Sequence, residues 1–254
     1  MFRGNIRVFP SLQEASLSAA KRFEELALSS LAGQGIFSAA LSGGSTPKAL
    51  YETLASAQIR IPWQGVHLFQ VDERCVPPDH PQSNYRMIRE TLLDHAPIPE
   101  GNFHRMPAEW PDHEEACSRY AQELGRVLRP KQGDWPCFDL VFLGLGADGH
   151  TASLFPGTAA VHEEVLWVRE NYVEKLNMHR LTLTFPILNA AREVIFLVAG
   201  PEKAEILREV IEGPSLPEKY PAQRIEPVHG SVDWYADQAA ARLLTGTSEM
   251  RLTR

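Results

Sequence analysis

The chain has only three cysteines in 254 residues, Cys75, Cys117 and Cys137. An odd count with no C-x-x-C pair indicates neither a disulfide framework nor a zinc site. Reduced thiols in a cytosolic protein are the expectation. Long hydrophobic runs are missing too. None approaches the ~20 residues of a membrane helix, and residues 1–10 lack the apolar segment of a signal peptide. A cytoplasmic chain with no membrane partner is the expectation. Basic residues are in deficit: 25 Lys and Arg against 32 Asp and Glu give a formal net charge of -7. A general nucleic-acid binder needs a basic face, so that class is set aside. An anionic ligand would need a local cluster of Arg and Lys to overcome the global field. No repeat and no low-complexity linker occurs.

Apolar residues make up 44% of the chain and charged residues 22%, a globular composition. Short apolar runs alternate with amphipathic helical stretches. That alternation predicts a mainly parallel sheet with helices on both faces, an α/β fold in which residues 1–254 form one domain. Strands are expected at 6–9, 36–41, 66–71, 138–143, 166–169, 181–185 and 194–198. A capping box of Ser11 and Glu14 opens the first helix, which should stop near Gly33. Further helices are expected from Thr46-Pro47, near Asn84, from Pro111 to about Leu128, and over 202–211 and 232–244. Residues 72–84 and 213–227 read as Pro-rich loops.

Four features could carry chemistry. The first is Ser42-Gly43-Gly44-Ser45-Thr46-Pro47, between a strand and a helix start. Paired glycines let an anion approach the backbone, and free amides at a helix N-terminus bind it. A tight capped turn is the plainer reading. The second is Asp72-Glu73-Arg74, at a strand end where α/β sheets place ligands; a solvated charge cluster is the alternative. The third is Gly144-Leu145-Gly146-Ala147-Asp148-Gly149-His150-Thr151. It matches G-x-G-x-x-G, but Pro156 and Gly157 leave no room for a crossover helix, and a dinucleotide site has no use for Asp and His in the turn. As chemistry, it presents an imidazole able to take a proton from water near neutral pH, with Asp148 close enough to orient it. The fourth is basic: Arg180 beside a strand, and Lys203 in the first turn of a helix, where a cation opposes the dipole but suits a phosphate. G-x-S-x-G and H-E-x-x-H do not occur. His104, His113, His162, His179 and His229 show no ligand spacing.

Together these segments resemble the 6-phosphogluconolactonase family. The resemblance rests on Leu41-Ser-Gly-Gly-Ser-Thr-Pro47, Val71-Asp-Glu-Arg74 with His80-Pro-Gln-Ser-Asn84, the string from Gly144 to Gly157, Arg180-Leu-Thr-Leu-Thr184 with Leu188-Asn189, and Gly200-Pro-Glu-Lys-Ala204. They follow the family's order across nearly the whole chain. One departure is visible: many relatives have prolines just before the arginine, where this chain has Leu176-Asn-Met-His179. The resemblance implies a Rossmann-like three-layer fold, shared with glucosamine-6-phosphate deaminases and ribose-5-phosphate isomerases. It implies hydrolysis of 6-phospho-D-glucono-1,5-lactone to 6-phospho-D-gluconate in the oxidative pentose phosphate pathway, with no cofactor and no metal. The expected partner is that sugar-phosphate lactone alone, and the expected state a monomer or weak homodimer.

On this reading His150 is the base for water, Arg74 the oxyanion donor, Asp148 the group that orients His150, and Asp72 the group that positions Arg74, with the two aspartates exchangeable. Gly43, Gly44, Ser45, Arg180 and Lys203 hold the phosphate. The nearest rival is a deaminase, but deaminases carry a glutamate in an Asn-Glu-Pro run shortly after the histidine, and here Ser153-Leu-Phe-Pro156 has no acid. A non-enzymatic sugar-phosphate sensor could dispense with His150.

Overall fold

Strand side chains point alternately to opposite faces, yet the central segments carry no polar alternation. Every residue of Leu140–Leu143 and of Glu193–Val198 is buried. Such strands need cover on both sides. The computed structural model, which describes residues 4–245 and 251–252, supplies it. Leu140, Phe142, Ile195 and Leu197 face one apolar cluster, and Val141, Leu143, Val194, Phe196 and Val198 face the other.

The elements run β1 (Asn5–Phe9), α1 (Leu12–Gln34), β2 (Phe37–Leu41), α2 (Thr46–Leu54), β3 (Val66–Gln70), β4 (Asp72–Arg74), α3 (Asn84–Ile88), β5 (Phe103–His104), α4 (His113–Leu128), β6 (Leu140–Leu143), β7 (Val168–Val173), β8 (Met178–Leu183), α5 (Phe185–Asn189), β9 (Glu193–Val198), α6 (Ala204–Ile211), β10 (Ser231–Asp237), α7 (Gln238–Ala241) and β11 (Arg251–Leu252). Eight strands form one sheet in the order β11-β1-β10-β9-β6-β2-β3-β5, and every adjacent pair is parallel. Helices α1 and α2 cover one face through Phe23, Ala27, Leu50 and Leu54. Helices α4 to α7 cover the other through Tyr120, Leu124, Ile187, Leu207 and Ala240. This is the expected three-layer α/β/α fold.

The Ser11 cap forms as read: its Oγ accepts from the Glu14 N–H at 3.4 Å and donates to the Glu14 carboxylate at 3.0 Å. Helix α1 runs past Gly33 and ends at Gly35, whose left-handed φ of 75° closes the last turn.

Three expectations need correction. Residues 232–244 are not one helix. Ser231–Asp237 is a strand between β1 and β9, and only Gln238–Ala241 is helical. The 72–84 segment is not wholly a loop, because Asp72–Arg74 pairs antiparallel with β8. Together with β7 these strands make a second, three-stranded sheet that the parallel reading did not include. Arg180 lies inside β8, opposite Arg74, rather than ahead of the strand. The Leu176-Asn-Met-His179 departure falls at the β7–β8 hairpin, with Asn177 left-handed at φ 46°.

Candidate active site

The chain leaves β2 toward β3 and leaves β6 toward β9, on opposite sides of the β6–β2 pair. Such a reversal opens a crevice at the strand carboxyl ends. The turn Ser42–Ser45 follows β2, the loop Gly144–His150 follows β6, and the segment Ala199–Lys203 follows β9. All three line one cleft of about 370 Å³, with Asp72, Arg74 and Arg180 of the small sheet forming a further wall. Eight of the nine residues singled out from sequence line it: Gly43, Gly44, Ser45, Asp72, Arg74, His150, Arg180 and Lys203. The ninth, Asp148, stands behind His150.

The β6 loop is tied on itself. The Gly146 N–H donates to the His150 carbonyl at 2.8 Å, the Gly149 N–H to the Gly146 carbonyl at 3.0 Å, and the Thr151 hydroxyl to the Gly144 carbonyl at 2.9 Å. No helix follows Gly149; an isolated bridge joins Thr151 to Leu154. The dinucleotide reading therefore fails on structure as it did on spacing. A Cβ on Gly146 would lie 2.0 Å from His150 Nδ1, so only glycine lets the imidazole fold back over its own loop.

His150 Nδ1 is 2.5 Å from Asp148 Oδ1. A carboxylate only accepts, so Nδ1 carries the proton and Nε2 is left as the basic nitrogen. The other Asp148 oxygen accepts from Lys175, and the imidazole stacks on Phe155 at 3.9 Å between ring centres. Burial lowers the His150 pKa to about 4; Asp72 pulls it upward, while Arg180, Lys203 and Arg74 push it down. The ring is neutral at physiological pH, so it can accept a proton without first losing one.

Asp72 accepts from the Ser153 hydroxyl at 2.6 Å and from Asn84 Nδ2 at 3.3 Å, and its carboxylate lies 3.9 Å from Arg180 Nη1. Arg74 Nη1 instead donates to the Gln82 carbonyl at 2.7 Å. Asp72 thus steadies Arg180, not Arg74 as expected, and Asp148, not Asp72, is the carboxylate bonded to His150. Burial lowers the Arg180 pKa while Asp72 opposes the change, and the guanidinium remains a cation. Lys203 Nζ donates to the Leu145 carbonyl at 2.8 Å, which ties the β9 segment to the β6 loop.

Ser45, at the N-cap of α2, makes no side-chain capping bond, unlike Ser11 and Asp112 ahead of α1 and α4. Among the described residues, five buried side-chain atoms have no hydrogen-bond partner, and Arg74 Nε, Asn84 Oδ1 and Arg180 Nε, all on cleft residues, are three of them. A stranded buried polar atom destabilises by ~1–3 kcal/mol, so its concentration in one cleft marks groups kept for a ligand.

Sequence reading assigned no role to Asn84, Ser153, Phe155, Glu73 or Lys175. All but Lys175 stand inside the quoted strings, so the signal was present, but strings do not show pairings: Ser153 and Asp72 are 81 positions apart. A Cβ on Gly43 would meet Asn84 Oδ1 at 1.6 Å, so the phosphate-type turn and the Asn84 amide interlock. The buried Glu73 carboxylate accepts from the N–H groups of Arg74, Asn84 and Tyr85 at 2.7–2.8 Å and ties the end of β4, which carries Arg74, to the start of α3. Burial raises its pKa, against those bonds. Lys175 sits on a hairpin whose place beside Asp148 only the fold reveals. Burial, then Cys117, Glu170 and Glu73, pushes the thiol of Cys75, next to Arg74, up to about 12, which disfavours the thiolate.

The sequence profile described as glucosamine-6-phosphate isomerases/6-phosphogluconolactonase matches residues 10–234. The chain is 46% identical to a 6-phosphogluconolactonase of Synechocystis sp., over 84% of this chain and 85% of that one. It is 38% identical to a human 6-phosphogluconolactonase, over 98% of this chain and 97% of that one. The structure of 6-phosphogluconolactonase from Trypanosoma brucei superposes with a TM-score of 0.85 at 29% identity, covering 96% of this chain and 100% of that one. No helix among the described residues is long and apolar enough to cross a membrane. The chain belongs to the glucosamine-6-phosphate isomerase/6-phosphogluconolactonase family.

Proposed function

We propose that this chain hydrolyses 6-phospho-D-glucono-1,5-lactone to 6-phospho-D-gluconate, a step of the oxidative pentose phosphate pathway, by water that His150 activates. The observation that carries the reading is a neutral imidazole, oriented through Nδ1 by Asp148, lining the same cleft as Arg74, Arg180, Lys203 and the Gly43–Gly44 turn.

A δ-lactone is an activated ester, so direct attack by water suffices. Nε2 of His150 takes a proton from the water as its oxygen bonds to the lactone carbonyl carbon. Such general-base assistance is worth ~10²–10⁴ in rate. Arg74 faces the developing oxyanion, where a cation held in place lowers the barrier most. When the tetrahedral intermediate collapses, the ring C–O bond breaks, and the imidazolium returns its proton to the departing ring oxygen. The product is an open-chain acid.

The phosphate is held by the Gly43, Gly44 and Ser45 amides at the start of α2, with Arg180 and Lys203 closing on it. Anchoring this remote group fixes the carbonyl against the imidazole. The reaction as written needs no metal and no cofactor. The deaminase reading is weakened because the position beside His150 is filled by the Phe155 ring.

A coupled assay tests the proposal. The lactone is generated in place by oxidation of glucose 6-phosphate, and its disappearance is compared with a no-enzyme control, since the lactone also opens unaided. Loss at the spontaneous rate at micromolar protein would end the reading and leave a sugar-phosphate sensor.

A further inference from the structure

We infer that His113, Glu170 and His179 form a binding site for a divalent transition-metal ion of the zinc class, on the small sheet and apart from the lactone cleft. One donor atom from each residue lies within 4.8 Å of the others. Ligands bond zinc at ~2.0–2.2 Å in tetrahedral geometry, so two of them stand roughly 3.3–3.6 Å apart. Closing the trio around an ion from a spread of up to 4.8 Å therefore takes a shift of roughly 1–1.5 Å in the widest pair, within the reach of side-chain rotation at this half-exposed site.

Three elements supply the donors. His113 is the first residue of α4, Glu170 is on β7 and His179 on β8. In the β7–β8 register Tyr172 stands opposite His179, and Glu170, two residues before Tyr172, shares its face. The His179 ring is already held there, with Nδ1 2.5 Å from Glu170 Oε1 and its centre 4.9 Å from that of His113. Two imidazoles and one carboxylate are the mixed nitrogen and oxygen set that zinc accepts, with a fourth position left for water. Magnesium, which favours oxygen ligands and keeps its waters, is a poor match. Asp112 and Glu114 line the same shallow depression and add negative charge beside the α4 N-terminus.

The place in the fold gives the site a consequence. The residue after His179 is Arg180, and the β7–β8 turn carries Lys175 to Asp148. An ion at this trio would pin the hairpin that presents both groups against α4.

The test uses tag-free protein treated with chelator and dialysed. Isothermal titration with zinc chloride, checked by elemental analysis after equilibrium dialysis, should give one ion per chain. His113→Ala and His179→Ala should each weaken binding by about tenfold or more, since loss of even outer-shell partners costs ~10–100-fold. Magnesium chloride should give no heat of binding. The zinc-dependent rise in Tm, measured for each protein against its own metal-free Tm, should shrink in both variants. An absence of zinc binding overturns the inference. So does weak uptake of several ions that is equal in parent and variants.

Discussion

Asparagine in place of Asp148 should lower kcat and leave KM nearly unchanged. Asp148 does not line the cleft, so its effect reaches the substrate through the imidazole alone. The 2.5 Å bond from Nδ1–H to Oδ1 is assisted by the carboxylate charge. Hydrogen bonds to charged groups contribute ~1.5–3 kcal/mol, and tenfold corresponds to ~1.4 kcal/mol, so losing the charge alone predicts a fall of ~10–150-fold. Asparagine adds a second effect. Its amide can turn an N–H toward Nδ1 and favour the tautomer protonated at Nε2, which leaves no base facing the water. The fall could then approach the whole general-base contribution of ~10²–10⁴. Initial rates in the coupled lactone assay, corrected for spontaneous opening, give both constants. A variant with parental kcat, or a loss confined to KM, would refute this account of the Asp148–His150 pair.

Lys203→Met should act in the opposite sense. Removing one cation from the phosphate should raise KM by ~10–150-fold, from the same ~1.5–3 kcal/mol per charged hydrogen bond, with little change in kcat; equal losses in kcat and kcat/KM would place Lys203 at the reacting carbonyl instead. The His150 imidazole, followed by NMR in ligand-free protein, should titrate near pH 4 rather than 6.5. The ring is neutral above that midpoint and gains its proton only below it. Inorganic phosphate should move the midpoint upward, because the anion offsets Arg180, Lys203 and Arg74, three groups that depress it. A midpoint near 6.5 that phosphate leaves unmoved would contradict the clustering of cations around the ring.

Local features were legible in the sequence. The Ser11 cap, the strand–turn–helix at Ser42–Pro47 and the Asp148–His150 pair each involve residues a few positions apart, so their chemistry is written in short strings. What depends on distant pairing was not. Residues 232–244 carry an alanine-rich second half that suits a helix, yet Trp234, Tyr235 and Ala236 are all buried because β1 and β9 flank them. Tertiary burial there overrides propensity. Strand β4 exists only because β8 pairs with it across more than a hundred residues. The same distance hid the partners of Asp72: its positioning role falls on Arg180, through a sheet that no periodicity announces. The two residues of β5 are too short to leave a pattern.

The role of His150 is tested most directly by replacing it with alanine and measuring two quantities on the same protein: kcat in the coupled assay, and affinity for 6-phospho-D-gluconate by titration calorimetry. The account predicts a kcat lower by ~10²–10⁴ with affinity close to that of the parent, because the phosphate grip lies on other residues. A variant that turns over lactone at the parental rate would contradict it.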